Sequence, residues 1–246
     1  LEDQSALYNV VYCFEFLDQN QEAIAYLNKY IDKNPYSEIA WHQLGRLHYG
    51  VKEYENAIRA FDYATLIDDE FLGAFMEKAK AYERLKKYEE AIESYSRTIE
   101  LDDATSYALL RMGKCYEKLG NKALALKHFN QTVHEDPLLD KGWIAITDFY
   151  VRQKNYQKAL FFVNKALAID NQNHLYWKRY ASINKQMNFF EEAEFGYRKV
   201  VEFGETGLET WLFWVDILQF LGEFESAIQT LLQASEYFPE ENEVEY

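Results

Sequence analysis

Trp41-His42-Gln43-Leu44-Gly45-Arg46-Leu47-His48, with Ala57-Ile58-Arg59-Ala60-Phe61 further along, is the stretch whose reading decides the fold. Trp41, Leu44, Gly45 and His48 fall at i, i+3, i+4 and i+7, which is one face of an α-helix. Ala57, Phe61 and Ala64 mark one face of a second helix after a short polar turn. Working outward, the pattern returns every 34 residues without insertion or deletion: Ala23, Ala57, Ala91, Ala125, Ala159, Ala193 and Ala227. Four residues after each stands a bulky partner, Leu27, Phe61, Tyr95, Phe129, Val163, Tyr197 and Leu231. Sixteen residues before each stand Leu7, Trp41, Phe75, Leu109, Trp143, Trp177 and Trp211. Four of the five tryptophans thus share one phase of the repeat, and all three prolines, Pro35, Pro137 and Pro239, share another. Rare residues concentrated in this way fix the period.

Each unit therefore reads as a helix A, a turn such as Lys118-Leu119-Gly120-Asn121, and a helix B. Repeats start at residues 4, 38, 72, 106, 140, 174 and 208, and positions below count from these starts. Position 8 carries Val11, Gly45, Ala79, Gly113, Thr147, Ala181 and Val215, small enough to let helices A and B approach closely. Overpacking such a contact costs about 1–3 kcal/mol, so Ala125→Leu is expected to destabilise. Helix B is expected to end at position 32, where Pro35, Asp69, Asp103, Pro137, Asn171, Glu205 and Pro239 stand.

Composition agrees with this reading. Of 246 residues, 48% are hydrophobic and 27% charged, near the soluble average. Ten glycines and three prolines are too few for a turn-rich β chain. No apolar run is long enough to span a bilayer, and Leu1-Glu2-Asp3-Gln4 shows no signal-peptide pattern. Cys13 and Cys115 lie 102 residues apart, with no metal spacing, which suggests either a reducing, cytoplasmic setting or indifference to oxidation. No His-Glu-x-x-His pair, phosphate loop or nucleophile elbow is present, so neither metal nor cofactor nor catalysis is expected.

The residues resemble the Trp-x-x-Leu-Gly-x-x-Tyr…Ala-x-x-x-Phe…Pro pattern of tetratricopeptide repeats over nearly the whole chain. The resemblance implies an all-α superhelix, or solenoid, of seven antiparallel helix pairs: 4–37, 38–71, 72–105, 106–139, 140–173, 174–207 and 208–241. Residues 242–246 then form an acidic tail or the start of a further repeat. Two departures stand out. Lys78 replaces an apolar residue, its stem expected to pack while its amine reaches water. Tyr180, Asn184 and Glu194 break the pattern in the sixth repeat, where looser packing is expected.

In proteins this chain resembles, helix A lines a concave groove that takes peptide segments or partner helices. The outward helix A positions of repeats two to six hold eleven cations and four carboxylates, inside a chain of net charge −15. The expected peptide-binding groove comprises Arg46, Tyr49, Lys80, Tyr107, Arg111, Lys114, Lys141, Lys178 and Arg179. Arg46, Lys80 and Lys114 share position 9 as a ladder that Asp148 interrupts. Two readings stay open: a basic groove for an acidic protein or peptide, or an ordinary solvated face with local pairs. The carboxylate clamp of related co-chaperones is not supplied by any three consecutive repeats. The leading expectation is a non-enzymatic protein–protein interaction scaffold. Nucleic-acid binding is the rival, opposed by the acidity and by Asp148. Apolar residues at both ends, among them Tyr8, Tyr12, Phe16, Ile228 and Leu232, suggest a segment of a longer repeat protein, or ends that pack on a partner or form a homo-oligomer.

Overall fold

The structure, a computed structural model, describes residues 2–101, 106–204 and 207–238, with side chains from residue 6 onward. Asp103, Glu205, Pro239 and the 242–246 segment lie outside the described residues. The chain divides into two compact units, Leu1–Glu135 and Asp136–Tyr246, close to the expected boundary between the fourth and fifth repeats. The first holds α1 (Glu2–Phe16), α2 (Asn20–Lys33), α3 (Glu38–Gly50), α4 (Tyr54–Ile67), α5 (Leu72–Arg84), α6 (Tyr88–Leu101), α7 (Ser106–Lys118) and α8 (Lys122–Glu135). The second holds α9 (Asp140–Arg152), α10 (Tyr156–Ile169), α11 (His174–Gln186), α12 (Phe190–Glu202), α13 (Leu208–Phe220) and α14 (Phe224–Tyr237). Among the described residues every regular element is helical, and each odd-numbered helix A pairs with the helix B that follows it.

Close packing of each pair rests on position 8. A Cβ built on Gly45 would lie 2.5 Å from the Phe61 ring, and one on Gly113 equally close to the Phe129 ring. The alanines at position 20, from Ala23 to Ala227, are all buried. Between repeats, helix B residues of one repeat pack on helix A of the next. Ile24, Leu27 and Ile31 join Ala40, Leu44 and Leu47 in one core cluster. Tyr95 does the same with Ala108, Met112 and Cys115, and Val163 and Leu167 with Tyr176 and Ile183.

The A-to-B turn is built the same way seven times. Position 15 is left-handed in every repeat: Asp18, Lys52, Lys86, Gly120, Lys154, Asn188 and Gly222 have φ between 56° and 78°. The amide at position 16 then donates back to the carbonyl at position 11, as Glu53 N does to His48 O at 2.8 Å and Asn121 N to Tyr116 O at 2.8 Å. This Schellman closure satisfies carbonyls that the end of helix A would otherwise orphan. At the end of helix B the working residue is one earlier than the sequence suggested. Asp68, Asp136 and Asp170, at position 31, accept the amides of Glu70, Leu138 and Gln172 at 3.0–3.2 Å. Position 32 supplies a carbonyl instead, which the next helix A engages: the indole Nε1 groups of Trp41, Trp143 and Trp177 donate to Pro35, Pro137 and Asn171 at 2.8–2.9 Å.

Two packing expectations are corrected. Lys78 buries its stem, but its amine reaches Asp62 Oδ1 at 2.6 Å rather than water alone. The sixth repeat is closely packed: Tyr180 fits because Gly196 faces it, a Cβ there meeting Tyr180 at 3.0 Å and Ala181 at 2.8 Å. Asn184 is buried with its amide donating to Tyr180 O at 3.0 Å, leaving its Oδ1 unpartnered. Glu194 accepts from Trp214 Nε1 at 3.1 Å.

Candidate functional site: the helix A face

The helix A face holds the expected cations, but it sorts them into those that join repeats and those that face outward. In the first unit Arg111 on α7 forks onto Glu83 on α5, Nε to Oε1 at 2.9 Å and Nη2 to Oε2 closer still. Glu83 Oε1 also accepts the Tyr95 hydroxyl at 2.5 Å. The Glu83 side chain is 13% exposed and that of Arg111 29%. Burial works against the Arg111 charge, yet the Glu83 carboxylate overcomes it and the guanidinium pKa rises. Burial, with Glu83 adding to it, also raises the Tyr95 phenol and pushes the Cys115 thiol up to about 12. Arg111 is therefore a joint residue with its charge already spent.

The second unit repeats the device. Arg179 on α11 takes both oxygens of Asp148 on α9, Nε to Oδ1 at 2.8 Å and Nη2 to Oδ2 at 3.1 Å. Its pKa is raised by the Asp148 hydrogen bond against burial. Asp148, expected to interrupt a row of free cations, is the clamp on the next repeat. Beside it, the Tyr176 hydroxyl donates to Asp140 Oδ2 at 2.7 Å.

Position 9 does not form a uniform ladder. Arg46 donates to Gln43 Oε1 at 3.1 Å and lies 3.9 Å from Glu15 of the preceding repeat. Lys80 places its Nζ 5.5 Å above the Tyr107 ring, and Tyr107 is 42% exposed. Lys114 on α7 stands in the same phase. Tyr49 accepts Arg84 Nε at 3.1 Å, another link between adjacent helices A. Glu77, counted on this face, turns toward buried His42, with Oε2 3.0 Å from Nε2. In the second unit Lys141 is exposed and Lys178 half-buried, while Lys185 stacks over Phe213 at 4.9 Å. Glu83, Asp148 and Gln43 are the residues that sequence reasoning missed as partners. For Glu83 and Asp148 the signal lies in spacings of 28 and 31 residues, nearly one repeat, whereas Gln43 lies three residues before Arg46 on the same helix.

Two family models described as tetratricopeptide repeat match the chain, one at residues 42–108 and 76–140 and another at 5–37. No curated protein sequence matches it. Among solved structures it resembles a tetratricopeptide repeat protein of Parabacteroides merdae, with TM-score 0.70 at 17% identity, over 96% of this chain and 93% of that one. It also resembles Pseudomonas aeruginosa pilF, with TM-score 0.66 at 16% identity over 82% and 92%. A third is YrrB, described as a tetratricopeptide repeat protein with an unusual peptide-binding site, with TM-score 0.55 at 17% identity over 72% and 91%. The matched segments span more than half of the chain, in register with the helix pairs, and the chain belongs to the tetratricopeptide repeat family.

Proposed function

We propose that the protein is a non-enzymatic interaction scaffold whose helix A face captures an acidic segment of a partner protein. The fold points to protein–protein interaction as a class. The observation that carries the finer reading is the Lys80–Tyr107 pair, where an ammonium and an exposed aromatic ring from successive repeats present one amphipathic surface. A cation over a ring keeps both groups ordered, so less freedom is lost when a partner docks. YrrB, with its peptide-binding site, is a precedent in fold for such use. Arg111 and Arg179 lie outside this contact set because their charges join repeats.

Selection of displayed peptides on the intact chain is expected to enrich Asp- and Glu-rich segments. Lys80→Glu with Tyr107→Ala is expected to weaken the best of these by at least about tenfold, or 1.4 kcal/mol. No acidic enrichment, or affinity unchanged in the double variant at unaltered helicity, rejects the reading.

A further inference from the structure

Arg84 differs from Arg46, Arg111 and Arg179, because among the described residues it meets no carboxylate. It is exposed, it ends α5, and its Nε donates to the Tyr49 hydroxyl at 3.1 Å. Tyr49 is itself set edge-on to Tyr54, with ring centroids 5.4 Å apart. The groups that act on the Arg84 charge are Tyr49, Tyr54 and Arg111, with no acid among them. A guanidinium held by Nε has its plane fixed while both Nη groups remain as donors. One turn earlier on α5 stands Lys80, and residues at i and i+4 are neighbours on a helix surface. Its amine lies 5.5 Å above the Tyr107 ring. α5 therefore presents two cations, each ordered by a tyrosine from a different adjoining repeat. Its carboxylates are turned elsewhere, Glu77 to His42 and Glu83 to Arg111 and Tyr95. Lys86 and Lys87, both exposed, follow in the turn and add to the positive field.

We infer that Arg84 and Lys80 together take a phosphoryl group carried by the partner segment, an inference that rests on capture of an acidic segment by this same face. Oxygen count separates the two kinds of anion. A carboxylate has two oxygens, and a guanidinium fork uses both, which leaves none for Lys80. A phosphomonoester has three terminal oxygens and a charge of about −1.5 to −2 at pH 7. Two of its oxygens can accept from the Arg84 Nη groups while the third accepts from Lys80. Its charge also matches that of the pair. Arg84 thus becomes the residue that distinguishes a phosphorylated segment from a merely acidic one.

The test uses peptides selected on the intact chain, remade with phosphoserine in place of each Asp or Glu in turn and titrated by calorimetry. At one position phosphoserine is expected to bind about tenfold more tightly than glutamate. Arg84→Gln is expected to remove that preference with helicity unchanged, and Arg84→Lys to remove most of it, since an ammonium has no fork. The preference should also shrink as pH falls through about 6, where the phosphoryl group takes its second proton. Equimolar inorganic phosphate is expected to leave the peptide bound; displacement would make a free anion the ligand and overturn the inference. A preference that survives Arg84→Gln overturns it too, as does equal affinity for phosphoserine and glutamate at every position. In these cases acidic peptides still bind and the broader reading stands. A chain that binds no acidic peptide loses both.

Discussion

Lys52, Lys86 and Lys154 hold left-handed backbone at φ 66°, 60° and 57°, where a Cβ is disfavoured and glycine is at ease. Two of the seven repeats meet the same requirement with Gly120 and Gly222. Replacing Lys86 and Lys154 by glycine is expected to stabilise the chain by about 0.5–1 kcal/mol each, strain relief exceeding the entropy glycine loses on folding. Urea denaturation at constant slope checks this, and a loss of stability in both variants would contradict it. Lysine is no marker of left-handed backbone, so the repeats that carry it here do not reveal this turn on their own. Only the aligned phase, with Asp18, Gly120, Asn188 and Gly222 beside the lysines, carries the signal. His128 is a second residue whose environment the sequence hides. It stacks flat on Tyr116 at 5.2 Å, and burial, aided by Lys127, lowers its pKa below 6.5. The unfolded chain therefore binds the proton more readily. The stability His128 lends is present above pH 6.5 and is lost as pH falls through the folded-state value. His128→Gln should flatten that part of a melting-temperature profile against pH.

At the scale of elements, the small residues of position 8 and the 34-residue register were legible because helix spacing writes them directly into the sequence. The fate of each cation was not legible. Arg111 and Lys114 look alike on a helical wheel, but only Arg111 meets a carboxylate 28 residues earlier, across the joint between α5 and α7. Arg179 and Asp148 show the same limit, since position 6 of one helix A reaches position 9 of the one before it. Arg111→Met is expected to destabilise the first unit by roughly 2–3 kcal/mol, because it leaves Glu83 largely buried without its counter-charge. That lies below the range for fully buried pairs, since the Arg111 side chain keeps 29% exposure. A double-mutant cycle with Glu83→Gln measures the coupling, and additive effects would show that the fork contributes nothing. Charge reversal at Arg111 would thus report on folding as well as on capture, which is why Lys80 and Tyr107 are the informative positions.

For the whole molecule, a net charge of −15 makes salt a direct test of where the cations act. Capture of an acidic segment by Lys80 and its neighbours should weaken as added salt screens it. Peptide titration at low salt and at about 0.5 M, where the screening length is about 4 Å, checks this. An affinity that does not fall with added salt would contradict it. The Trp41, Trp143 and Trp177 indoles, each tied by Nε1 to the carbonyl that closes the preceding repeat, add an optical consequence. Each emits from beside one particular seam. A set of variants keeping a single indole apiece would turn fluorescence into a seam-by-seam record of where the chain first comes apart, without any attached dye.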